Sequence, residues 1–75
     1  MHIVTIKADH RCKTVPYIQE ILTEYGEDIK VRLGLHELCK KNEGLILLIY
    51  CGKNIEKFLE KLNDFSDVEA KHMEI

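Results

Sequence analysis

The sequence contains few of the residues that mark disordered, disulfide-rich or metal-cluster proteins. It has one proline, four glycines and three cysteines in 75 residues. A hydrophobic content of 45% argues against disorder, and this length predicts a single domain, residues 1–75, with a thin core. The separations of Cys12, Cys39 and Cys51 match no zinc or iron–sulfur pattern, and their number is odd. We therefore expect free thiols.

The chain also lacks an excess of basic charge and a long apolar run. Its 11 basic and 13 acidic residues give a net charge of −2, which does not suit a surface that neutralises phosphates. The longest apolar run, Leu45 to Cys51, is far shorter than the roughly 20 residues that span a bilayer. No signal-peptide arrangement precedes the first strand pattern. We expect a cytoplasmic protein without nucleic-acid or membrane partners.

What the sequence does contain is an ordered series of periodic segments. Apolar residues alternate with a period of two or form β-rich runs in four segments, and recur with helical spacing in two others. The order is strand (2–8), helix (14–25), strand (29–35), strand (45–51), helix (54–65) and strand (68–73). It predicts a ferredoxin-like βαββαβ sandwich, an α+β fold with a four-stranded antiparallel sheet and two helices on one face.

The ends of the two helices carry residues that favour termini. Thr14 and Asn54 precede the helical patterns, where side-chain oxygens can accept hydrogen bonds from free amides of the first turn. Gly26 follows the first helix, where a left-handed residue would end it at low cost.

The second face of the predicted sheet has no helix to cover it. On the first strand, Ile3 and Thr5 should point to this face, beside Met73 of the last strand. The third strand is apolar throughout, so alternation leaves two choices for that face. They are Ile46, Leu48 and Tyr50, or Leu45, Leu47 and Ile49.

We favour the first set, because Tyr50 suits a partly polar surface. Several hundred Å² of apolar surface is rarely left open on a small monomer. The pattern therefore predicts a homodimer or higher oligomer assembled through this face, and a folded monomer for Leu48→Glu.

The second strand alternates between an apolar side and a side that carries Arg32 and Gly34. Its apolar set is Ile29, Val31, Leu33 and Leu35. We expect Arg32 to project opposite the core and Gly34 to allow close approach of a ligand or backbone. The alternative is an edge-strand Arg32 that discourages aggregation, with Gly34 at a β-bulge.

Histidines and cysteines offer a metal-binding alternative at two places. His10 and Cys12 lie in the loop after the first strand, and His36 and Cys39 follow the second strand. Neither pair alone completes a zinc or copper site, but an oligomer could unite copies of them. The remaining two histidines, His2 and His72, should lie on neighbouring strands as surface residues.

Enzymes and RNA-binding modules of this architecture need residues that the chain does not offer. Arg11 stands where acylphosphatases bind phosphate, but its loop lacks the glycines of that cradle and the second strand lacks an asparagine. No nucleophilic triad or carboxylate pair is readable. RNA-recognition motifs need aromatic residues on the first and third strands, and only Tyr50 is present. We expect no catalysis and no cofactor.

Two segments resemble a known family. Glu20-Ile21-Leu22 with Glu24-Tyr25-Gly26 forms a helix end, and Arg32-Leu33-Gly34-Leu35 closes the following strand. This pair of motifs is similar to that of small ACT-like proteins proposed to be iron-only hydrogenase system regulators. The resemblance covers most of the chain and implies a regulatory module that binds a small effector or a protein partner. The candidates for effector or interface binding are Arg32, Gly34, Leu48 and Tyr50.

Overall fold

The six predicted elements are present in the predicted order. A computed structural model describes residues 1–9, 14–36 and 43–75. The elements are β1 (His2–Asp9), α1 (Val15–Glu24), β2 (Ile29–His36), β3 (Glu43–Tyr50), α2 (Ile55–Asn63) and β4 (Val68–Glu74). A short 3₁₀ helix, Gly26–Asp28, was not predicted. In the described ranges, no helix is long and apolar enough to cross a membrane.

The four strands form one antiparallel sheet in the order β2-β3-β1-β4. β1 and β3 therefore lie at its centre, and β2 and β4 are its edges. The pairing of β1 with β3 runs from His2 opposite Tyr50 to Asp9 opposite Glu43. This topology confirms the ferredoxin-like prediction.

The hydrophobic core lies between one face of the sheet and the two helices. On β1 it takes Val4 and Ile6, as the alternation predicted. The helices contribute apolar residues that recur with helical spacing, and the buried ones are Ile18, Leu22, Phe58 and Leu62.

The prediction for β3 is wrong, because its two apolar sets are exchanged. Leu48 is 1% exposed and Tyr50 is fully buried, so both belong to the core beneath the helices. Directly opposite residues of paired strands share a face, and Leu48 lies opposite Val4. Tyr50 also stacks on Phe58, with ring centroids 4.9 Å apart and planes 13° from parallel. The set on the uncovered face is therefore Leu45, Leu47 and Ile49.

The faces of β2 also differ from the prediction. The pairing with β3 is irregular between Ile29 and Val31, so these two residues lie on opposite faces. The predicted core residues Val31 and Leu33 are 54% and 50% exposed, on the uncovered face. Arg32 lies on the helix side, where its guanidinium donates to the side-chain oxygen of Gln19 on α1.

The residues at the helix ends have other partners than predicted. Thr14 precedes α1, but its hydroxyl donates to the carboxylate of Asp67, 2.7 Å from the nearer oxygen, and caps no helix amide. Asn54 likewise makes no side-chain cap bond. Gly26 begins the 3₁₀ helix and does not adopt a left-handed conformation. The predicted positions were right, but the predicted cap geometries were wrong.

Candidate functional site

The sheet face away from the helices is a candidate interaction surface of the described chain. We call it the open face. Cross-strand pairing arranges its side chains in three rows of four, each row running from β4 through β1 and β3 to β2. The rows are Met73–Ile3–Ile49–Val31, Lys71–Thr5–Leu47–Leu33 and Glu69–Lys7–Leu45–Leu35.

Apolar side chains dominate the open face. The first row is apolar on all four strands, and its ends, Met73 and Val31, are 60% and 54% exposed. In the other two rows the β3 and β2 positions are apolar as well, and Leu33 is 50% exposed. Large side chains left half in water at adjacent positions form a patch of the kind that marks an interaction surface.

Within the three rows, the charged side chains lie together at one corner of the open face, on β4 and β1. On β4, Lys71 lies 2.9 Å from Glu69. The hydrogen bond and positive charge of Lys71, with a smaller contribution from Lys7, lower the pKa of the Glu69 carboxyl. This corner therefore carries paired charges, and the apolar rows lie beside it.

On the helix side, Arg32 and Gly34 lie near each other but do not form a bulge. Gly34 pairs regularly with Ile46, so the predicted bulge at Gly34 is wrong. An added Cβ at Gly34 would meet no atom within 4 Å. The open space there is a cavity of about 60 Å³, with mostly apolar walls that include Ile6, Ile18 and the Gln19 bonded to Arg32.

This cavity is small for a ligand. Pockets for small molecules usually measure about 300–1,000 Å³. The space of about 60 Å³ beside Gly34 corresponds to an aliphatic group of a few atoms. A space of this size is too small for a whole metabolite.

The predicted site residue Tyr50 lies in a closed environment. Its hydroxyl is buried and makes no hydrogen bond of normal geometry. Tyr50 Oη and Asp28 Oδ2 each lie 2.6 Å from the point where a Cβ on Gly52 would stand. Burial, followed by the negative charge of Asp28, raises the pKa of the Tyr50 hydroxyl. Neither Tyr50 nor Leu48 is accessible to a partner on the open face.

The predicted metal-ligating residues fall mostly where no side chain is described. His10, Cys12 and Cys39 lie outside the described residues, as does the side chain of His36. Within the described ranges, no group of three or more His, Cys, Asp or Glu could hold a metal ion. The prediction of a metal site at these four residues stays untested.

The structure does bring together two histidines that the sequence analysis treated as surface residues. The Nδ1 atoms of His2 and His72 are 3.2 Å apart, and His2 is only 9% exposed. Both had been assigned to neighbouring strands, and β1 and β4 do pair. Period-two alternation on both strands could have indicated that the two rings share a face.

Comparisons with known proteins identify a family but no activity. No family model matches the chain, and no curated protein matches it. Among solved structures, the chain is 30% identical to the uncharacterized protein TM1266 from Thermotoga maritima. The alignment covers 96% of this chain and 91% of that one, with a TM-score of 0.85. This chain belongs to the TM1266 family.

A more distant likeness supports the fold alone. A structure described as a putative antibiotic biosynthesis monooxygenase from Deinococcus radiodurans superimposes over 100% of this chain and 92% of that one. Its TM-score is 0.53 and it is 11% identical. Such a likeness carries no activity to a TM1266-family protein. TM1266 itself is uncharacterized, so family membership alone assigns no function.

Proposed function

We propose that this chain is a non-catalytic regulatory module that associates with itself and binds a small effector or a protein partner. In this proposal it acts in the cytoplasm like the iron-only hydrogenase system regulators that its motifs resemble. The exposed, unpaired thiol of Cys51 suits a reducing compartment. Genes for hydrogenase or its maturation beside this one would support the link to that system.

The observation that carries the proposal is the apolar row across all four strands of the open face. The face of four strands, seven residues long, measures roughly 19 by 24 Å, or about 450 Å² in projection. Protruding side chains add to this, so a partner would bury an area near the lower limit of specific interfaces, about 600 Å² per partner. A second copy offers a surface of the same size and polarity.

A two-fold axis through the apolar rows gives this association a simple geometry. In such an interface the same patch serves both copies. The apolar positions of β2 and β3 would then be enclosed, while Glu69 and Lys71 would stay at the rim, where paired charges remain hydrated. The interface would also reinforce the thin core of a 75-residue chain.

Leu33→Glu tests self-association at a residue that is half exposed in the single chain. We expect a folded monomer, because a carboxylate at this position would be buried without a partner in the dimer. Light scattering measures the oligomeric state, and circular dichroism shows whether the variant is folded. Tyr17→Glu is the matched control, since Tyr17 is 56% exposed on α1, away from the open face.

Two results would contradict this proposal. One is a wild-type chain that is monomeric at micromolar concentration. The other is a Leu33→Glu variant that stays oligomeric while Tyr17→Glu dissociates.

Effector binding is proposed for the cavity beside Gly34, whose lining includes the Gln19 side chain that accepts a hydrogen bond from Arg32. A small carboxylate with a short aliphatic group fits both features, because the guanidinium binds carboxylates and the cavity is apolar. Thermal-shift measurements with such carboxylates on wild type, Gly34→Val and Arg32→Gln test this. Stabilisation that both substitutions leave unchanged would contradict it.

The metal-handling alternative remains a hypothesis about His10, Cys12, His36 and Cys39. Metal analysis of protein purified without an affinity tag tests it. Stoichiometric nickel, zinc or iron that is lost on substitution of these four residues would favour this alternative over a purely effector-binding module.

A further inference from the structure

His2 and His72 form a pair of imidazoles on adjacent strands. The register of β1 and β4 places His2 opposite Glu74 and His72 opposite Val4, so both rings lie on the helix side. Their Nδ1 atoms are 3.2 Å apart, and the ring planes are inclined by 51°. His2 is nearly enclosed, whereas His72 is exposed. One ring is thus held in place and the other can turn.

The carboxylate of Glu74 favours one tautomer of the His2 ring. The carboxylate of Glu74 lies 3.8 Å from Nε2 of His2. A proton on Nε2 is favoured by this negative charge, which leaves the lone pair of Nδ1 facing His72. Histidine ligands of metals commonly direct their second nitrogen to a carboxylate in this way.

We propose that His2 and His72 bind a divalent zinc ion through their Nδ1 atoms. Zinc–nitrogen bonds of about 2.0–2.1 Å in a tetrahedral arrangement separate two nitrogens by about 3.3 Å. The 3.2 Å between the Nδ1 atoms is therefore close to the required spacing. The described residues supply no third side-chain ligand, and water completes the coordination.

Binding requires a change of tautomer at His72 and a small rotation of its ring. With the proton of His2 on Nε2, the hydrogen bond between the two Nδ1 atoms of the metal-free pair requires His72 to be the donor. When zinc binds, this proton is exchanged through water to Nε2 of His72, and both Nδ1 lone pairs coordinate the metal. His72 turns slightly so that its lone pair meets that of His2 at the metal. The site depends neither on the open face nor on His10, Cys12, His36 and Cys39.

The experiment compares zinc binding by the full chain and by His72→Gln, with calorimetry for affinity and nitrogen NMR of the imidazoles for the ligating atoms. We expect one zinc ion per wild-type chain and large shifts of the two Nδ1 signals. Loss of even a supporting group around a metal commonly costs about 10–100-fold, so His72→Gln should weaken binding at least about tenfold. Met73→Gln, the neighbouring residue on the open face, should bind like the wild type.

A second variant separates this site from other ligands of the chain. In it, five residues are replaced by serine or glutamine: His10, Cys12, His36, Cys39 and Cys51. Zinc binding that persists there and disappears with the added His72→Gln supports the proposal. Loss of zinc binding in the five-residue variant, without any change at His72, would overturn the proposal. Unchanged zinc binding by the single variant His72→Gln would also overturn it, as would a wild-type chain that binds no zinc at millimolar concentration.

Discussion

Val4 and Leu48 lie directly opposite each other on β1 and β3, and both side chains are almost completely enclosed by the helices. This one pair determines which side of β3 faces the core. Leu47, the next residue, must then point to the open face, where Thr5 and Leu33 are its partners. Adjacent leucines of one strand therefore have opposite roles.

The two leucines should respond oppositely to the same substitution. Leu48→Glu places a carboxylate in the core and should cost at least about 4 kcal/mol, most of the stability of a chain this short. Leu47→Glu should leave the monomer folded, because its side chain is only partly buried. Urea unfolding followed by circular dichroism measures the free energy of unfolding of both variants. Two variants of equal stability would contradict the assignment of faces.

Of Gly26, Gly34 and Gly52, the last should be the least tolerant of a side chain. A Cβ there would stand 2.6 Å from Tyr50 Oη and from Asp28 Oδ2. Gly52→Ala should therefore lower the free energy of unfolding by about 1–2 kcal/mol. Gly26→Ala is the control, since a Cβ at Gly26 meets nothing within 4 Å. A Gly52→Ala variant as stable as Gly26→Ala would show that the Asp28 carboxylate moves away freely.

Removing the Tyr50 hydroxyl should not destabilise the protein. A buried hydroxyl without a partner carries an uncompensated desolvation cost, and Tyr50→Phe keeps the ring stacked on Phe58. We expect an unchanged free energy of unfolding or a gain of up to about 1 kcal/mol. A free energy of unfolding lowered by more than about 1 kcal/mol would indicate that this hydroxyl donates a hydrogen bond to Asp28.

Tyr50 should also make stability depend on alkaline pH. Burial and Asp28 raise its pKa in the folded chain above the unfolded value of about 10. Its contribution is therefore fully present below about pH 10 and is lost as the pH rises through the folded pKa. Urea unfolding between neutral pH and pH 11 should show a smaller decline for Tyr50→Phe. Parallel curves for the two proteins would contradict this.

The bond between Thr14 and Asp67 should contribute modestly to stability. It joins the start of α1 to the turn before β4, and its partners are 53 residues apart in sequence. Thr14→Val keeps the shape but removes the donor, at a cost of about 0.5–1 kcal/mol for a surface hydrogen bond. Thr23→Val is a matched control within α1, where the hydroxyl donates only to the carbonyl of Gln19. If the two variants lose equal stability in thermal unfolding, the long-range hydrogen bond between Thr14 and Asp67 adds nothing.

The sequence alone determined the element order, the class of fold and the faces of β1. Apolar residues with a period of two or of 3.6 leave little choice about which residues of β1, α1 and α2 meet the core. Val4 and Ile6 are where that pattern predicted. The open face was predicted as well, because two helices cover only one side of a sheet.

The tertiary structure decided which side chains of β2 and β3 face the core, because the alternation of apolar residues could not. β3 is apolar at every position of its last six residues, so alternation gave no reason to prefer Leu48 over Leu47 for the core. The pairing of Leu48 with Val4 places Leu48 in the core. On β2, the irregularity after Ile29 exchanged the faces of Val31 and Arg32. His2 and His72 meet across 70 residues only because β1 and β4 pair in one register. Register depends on contacts between distant segments, and a local pattern does not contain them.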